Sequence, residues 1–79
     1  MVWEKVMKKP KVYWTGTVGK YDDFGIPIQG EFIDGMIKDG RWAIMTPQSW
    51  EQRGIGTLGL GKGQRYRRQV RGDWLKVEG

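Results

Sequence analysis

The sequence predicts a small, mostly β domain of the α+β kind, with three antiparallel hairpins in a small sheet or barrel and one short helix. Three observations predict it. Short runs rich in Val, Ile, Trp, Tyr and Thr alternate with a period of two, which suits half-buried strands. Gly and Asp-Gly signals separate those runs at hairpin spacing. A single Thr-Pro step, followed by polar residues around a tryptophan, reads as a helix start.

Taken in order, residues 2–8 and 11–18 read as two strands of an N-terminal hairpin. Lys9-Pro10 lies between them, because proline cannot donate to a central ladder. In the second strand Val12, Trp14 and Val18 share a face with Gly16, and Lys11, Tyr13, Thr15 and Thr17 take the other. Residues 19–30 form a turn-rich connector. Residues 31–37 and 41–45 make a second hairpin around Lys38-Asp39-Gly40. Thr46 caps a helix over 47–53, Trp50 anchors it to the core, and Gly54 is placed to end it in a left-handed conformation. After a glycine-rich loop over 54–63, residues 64–71 and 73–77 form a third hairpin turning near Arg71-Gly72-Asp73. In it Tyr66 and Val70 should point inward, leaving Arg65, Arg67, Gln69 and Arg71 outward. Trp14, Trp42 and Trp50 are the expected structural tryptophans. The chain reads as one domain over 1–79, an N-terminal hairpin over 1–20 joined to a core over 21–79.

A chain of 79 residues buries only roughly 60% of the surface it exposes when unfolded, so its core is marginal without help. It contains no cysteine and no histidine. Disulfides and thiolate metal sites are therefore excluded, and a zinc site would have to use carboxylates alone. The usual nucleophile–base pairs cannot be assembled, which argues against an enzyme and against a cofactor. Asp22-Asp23 reads as solvated charge or local backbone caps rather than as a magnesium or calcium site. No signal peptide and no apolar run of membrane length is apparent, so a soluble cytoplasmic protein is expected, with no membrane partner.

The net charge of +5 is unevenly placed. Residues 1–20 carry five lysines against one glutamate, residues 21–53 carry six acids against three basic residues, and residues 54–79 carry six basic residues against two acids. If the two basic ends meet in the fold, one face becomes strongly positive and favours a polyanion.

The tract from Gly54 to Arg71 points the same way. Gly56 to Lys62 matches most of a P-loop, but Gly63 stands where Ser or Thr should hold magnesium, and a helix precedes the tract where a strand should. What survives is a phosphate-contacting surface. Its candidate residues are Lys62, Arg65, Arg67, Arg68 and Arg71, with Gly59, Gly61 and Gly63 allowing close backbone approach. Tyr13 and Tyr66 are possible stacking rings for bases, Tyr66 fitting the core better. The leading expectation is a non-enzymatic nucleic-acid-binding module, DNA or RNA. The alternative is a protein-interaction module or a small homo-oligomer, for which the acidic middle and the aromatic content are the motive.

Two four-residue units, Tyr21-Asp22-Asp23-Phe24 and Thr46-Pro47-Gln48-Ser49, are placed like the paired C-x-x-C knuckles of a zinc ribbon. With Gly25-Ile26-Pro27-Ile28, Phe32-Ile33-Asp34-Gly35, residues 40–45 and residues 61–66, the region 21–79 resembles small zinc-ribbon-like proteins of phages and prophages. All four ligand positions are replaced, by Tyr21, Phe24, Thr46 and Ser49, so the resemblance carries no metal site to this chain. It implies a nucleic-acid- or protein-binding accessory protein. It also implies that packing of Tyr21 and Phe24 toward Trp50 takes over the cross-link that zinc provides.

Overall fold

A computed structural model describes residues 10–79 of the chain. Its elements are β1 (Glu31–Met36), β2 (Trp42–Met45), α1 (Pro47–Arg53), β3 (Gly63–Arg68) and β4 (Trp74–Glu78). The strands form one open, fully antiparallel sheet in the order β2-β1-β3-β4. Among the described residues the fold is mostly β, with one short helix.

The β1–β2 hairpin turns at Lys38-Asp39-Gly40 as the Asp-Gly signal predicts. The Ile37 N–H donates to the Arg41 carbonyl at 2.8 Å, and Gly40 takes a positive φ of 94°. Thr46 caps α1, its hydroxyl accepting from the Ser49 N–H at 3.2 Å. Gly54 does end the helix, but with φ −74° and ψ 164° rather than left-handed. Its glycine is required for another reason: a Cβ there would penetrate the Trp50 ring, which lies directly over the backbone.

The second strand of the predicted N-terminal hairpin differs from expectation. The hairpin's first strand, residues 2–8, lies outside the described residues. Residues 11–18 form no strand of their own. They touch the sheet at a single bridge, Tyr13 to Leu75, supported by bonds from Trp14 N–H to the Trp74 carbonyl and from Lys76 N–H to the Val12 carbonyl. Val12 is exposed there, while Trp14 turns onto the aromatic cluster and Val18 is half-buried. The β3–β4 turn also starts earlier than predicted. Gln69 N–H closes it onto the Asp73 carbonyl at 2.7 Å, which leaves Val70 at the tip and fully exposed rather than inward.

Strand alternation splits the core between the two faces of the sheet. On one face Ile33, Ala43 and Met45 are buried beneath α1 and its Trp50, with Phe24 and Leu58 packed alongside. On the other, Phe32, Tyr66 and Trp74 cluster under Trp14 with ring centroids 5.0–5.3 Å apart. Each such pair contributes about 0.5–1.5 kcal/mol beyond its buried area. The burial is diagonal: the first core lies toward β2, the second toward β4. Trp42 belongs to neither. It sits on the edge strand, away from Trp14, and is 46% exposed instead of structural. Among the described residues no helix is long and apolar enough to cross a membrane.

Candidate nucleic-acid interface

The glycine tract is a closed turn. Gly59 N–H donates to the Gly63 carbonyl at 2.8 Å, while Lys62 and Gly63 N–H both donate to the Gly59 carbonyl at 3.0 Å. Three donors that an anion would need are therefore already satisfied within the loop. Gly59 and Gly61 supply positive φ values of 141° and 73°. Gly63 supplies closeness, since a Cβ on it would meet the Gly35 Cα at 2.9 Å across the strand pair. At the tip stand Leu60, 96% exposed, and Lys62, also exposed. The loop holds up one aliphatic side chain and one cation.

The arginine row meets carboxylates. Pairing of β1 with β3 sets Glu31 opposite Arg67 and two positions from Arg65, on the same face. Glu31 binds the Arg65 guanidinium through one oxygen and accepts from Arg67 Nε at 3.3 Å through the other. Arg65 reaches Glu78 of β4 as well, at 3.3 Å. Arg71 donates to Asp73 at 2.7 Å, with its guanidinium 5.6 Å from the Tyr13 ring. Of the five basic residues predicted to meet phosphates, only Lys62 and Arg68 have no carboxylate partner among the described residues. These two stand at opposite ends of β3. Six residue steps of extended chain separate them, roughly 20 Å. The structure therefore does not gather the predicted residues into one site.

Arg68 has a different neighbour. It joins Lys20, Val18, Gly19, Ile28, Gly30, Gly72 and Trp74 around a cavity of about 370 Å³. The Arg68 N–H donates to the Gly30 carbonyl at 2.9 Å, and Ile28 N–H donates to the Lys20 carbonyl at 2.9 Å. These bonds fix the connector beside the end of β3 and bring a cation from each together. The cavity wall holds cations and no carboxylate, whereas four other cavities bounded by described residues each include a carboxylate, Glu31, Glu78, Asp39 or Asp23. Sequence reading missed Lys20 because it lies more than forty positions from Arg68 in a segment without a motif.

Three of the four ribbon-like positions, Phe24, Thr46 and Ser49, are joined by a carboxylate. Asp22 is 5% exposed, and its side chain accepts five hydrogen bonds. Phe24 and Ile26 N–H reach one oxygen at 2.9 Å each. Thr46 N–H at 2.8 Å, Thr46 hydroxyl at 2.9 Å and Ser49 hydroxyl at 2.6 Å reach the other. Burial pushes this carboxyl up, but the bonds from Ser49, Thr46, Ile26 and Phe24 outweigh it and hold it at about 2. Asp22 is thus neither solvated nor only a local cap. It ties the first knuckle to the helix start. Phe24 packs on the core beside Trp50, under the Arg53 guanidinium at 4.4 Å, whereas Tyr21 is 63% exposed and packs on nothing of the kind expected. Asp23, on the surface, accepts from Ile44 N–H at 2.8 Å and closes that part of the β2 edge. Among the described residues no three of His, Cys, Asp and Glu gather as a metal site would require.

Comparison with protein-family models, with curated proteins and with solved structures finds no match to this chain.

Proposed function

We propose that the protein is a non-enzymatic module that binds nucleic acid through its phosphates, centred on the groove between Lys20 and Arg68. The observation that carries this reading is the carboxylate-free wall of that groove in a chain of net charge +5. Everywhere else along β3 an acid already holds the guanidinium, and a phosphate would have to displace it. At Lys20 and Arg68 no such exchange is needed. The Trp74 indole in the wall offers a flat apolar surface beside the charges, as binders of single strands use. Lys62 at the far end of β3 adds general attraction rather than a contact in the same groove. The zinc-ribbon resemblance supports the reading, since such ribbons serve as binding modules.

The test is affinity for labelled single- and double-stranded oligonucleotides across a salt series. Arg68→Glu and Lys20→Glu should each weaken binding and flatten its salt dependence, while Arg65→Gln should change binding little. Equal losses at Arg65 and Arg68, or no binding at low salt, would refute the assignment.

A further inference from the structure

A second groove lies at the opposite end of β1. One lobe, about 200 Å³, is walled by Asp23, Phe24, Ile37, Arg41, Trp42 and Ala43. The other, about 330 Å³, adds Lys38, Asp39, Gln52 and Arg53. The lobes share Phe24, Ile37 and Arg41, so they are parts of one surface, apolar at Trp42 and cationic at Arg53.

The charges here are already sorted. Asp39 is occupied, taking the Arg41 Nε at 2.9 Å and the Arg41 N–H at 3.0 Å. Asp23 is occupied by the Ile44 N–H. Lys38 and Arg53 have no carboxylate partner among the described residues. Their backbones are joined by a 3.0 Å bond from Lys38 N–H to the Arg53 carbonyl. The Arg53 guanidinium is also held over the Phe24 ring, which leaves its N–H fork preorganised and without an acceptor carboxylate. Trp42, 46% exposed, lines the smaller lobe and is a large apolar residue that the fold leaves uncovered on this edge strand.

From this we infer that the groove docks an acidic peptide segment of a partner protein. A large apolar side chain of the peptide rests against Trp42, and a neighbouring carboxylate binds Arg53 and Lys38. Charge complementarity selects this occupant. Three cations against two local carboxylates suit one carboxylate of a ligand, and Asp23 and Asp39 would repel a run of phosphates. The side chains at the site also have the composition of a binding anchor, Trp and Arg beside an apolar pocket. This groove and the one at Arg68 share no residue, so neither inference depends on the other.

The experiment is selection from a random heptapeptide display library on the full chain, followed by affinity measurement with a synthesised selected peptide. Selected sequences should place Asp or Glu within two positions of Leu, Ile, Phe or Trp. Affinity should fall about tenfold or more in Arg53→Gln and in Trp42→Ala, and stay unchanged in Arg68→Glu. Arg53 is exposed, and an unchanged circular dichroism spectrum checks that its variant folds. Selection of peptides without acids, or no loss in either variant, overturns the inference. Displacement of the peptide by short oligothymidylate, with oligonucleotide affinity lost in Trp42→Ala, also overturns it and assigns the groove to nucleobases.

Discussion

Removing the charge of Asp22 should be among the most damaging single changes in this chain. Its carboxylate is 5% exposed and receives five donors from two segments that no strand pairing joins. In Asp22→Asn the amide must turn a donor toward either the Phe24 and Ile26 N–H groups or the Thr46 and Ser49 donors. One side is left facing its own kind. The electrostatic part follows from the titration: a carboxyl held at about 2 instead of 3.8 favours the folded state by about 2.5 kcal/mol once ionised. Leaving buried donors unpaired costs about 1–3 kcal/mol more. Against a total stability of roughly 4–12 kcal/mol for a domain this size, the loss is severe. The melting temperature should fall by roughly 10–20 °C from the electrostatic part alone.

The sign with pH is definite. Because the folded value lies below the unfolded one, the contribution is complete above about pH 4 and drains away as pH falls toward about 2. Urea unfolding of wild type and Asp22→Asn, followed by circular dichroism from pH 7 to pH 2, measures both effects. The gap between the two proteins should be widest at neutral pH and narrow with acid. A gap below about 0.5 kcal/mol at pH 7, or one independent of pH, would refute the role assigned to Asp22.

The remaining expectations concern the same sheet. Gly54→Ala should lower the melting temperature by several degrees, because the new Cβ has to displace the Trp50 ring from its place on the core; a neutral outcome in a thermal melt would contradict the packing. Asp34→Asn should raise stability at neutral pH. Burial and the nearby Asp23 push the Asp34 carboxyl up, so its ionised form opposes folding, and the gain should vanish below about pH 4 in the same urea series. Arg65→Gln should lower stability, by about 1 kcal/mol or more, with oligonucleotide affinity nearly intact, since its guanidinium is spent on Glu31 and Glu78. Arg68→Glu should show the reverse in the paired binding and melting assays.

Local signals carried much of this fold. The Asp-Gly turn, the Thr46-Pro47 helix start and the alternation about Tyr66 all act within a few residues, and each appears where the sequence puts it. Errors came where tertiary packing decides. Trp42 and Trp50 look equally structural in sequence, but only Trp50 has a helix to carry it over the sheet. Val70 obeys the alternation of β3, yet the chain leaves the ladder two residues before reaching it. Gly54 was expected for its φ and is needed for its missing Cβ. The site was less legible than the fold. Asp22 carries no mark in sequence of the Thr46 and Ser49 hydroxyls that find it, and Lys20 carries none of Arg68.

The charge pattern shows most plainly why linear reading overreached. Acidic middle and basic C-terminal part are distinct blocks in sequence, which suggests a face of one sign. Strand order decides otherwise. Because β1 lies between β2 and β3, the acidic block is threaded directly against the basic one, and Glu31 arrives opposite Arg67 with Arg65 alongside. Segregation along the chain thus becomes neutralisation in space. Among the described residues, positive charge without a carboxylate partner comes together in pairs at Lys20 with Arg68 and at Lys38 with Arg53, and Lys11, Lys62 and Lys76 also lack such a partner. Both pairs join a turn or connector to the last residue of a regular element. That placement explains why the two candidate grooves lie at opposite ends of β1, and why charge reversal at either should leave the sheet itself intact.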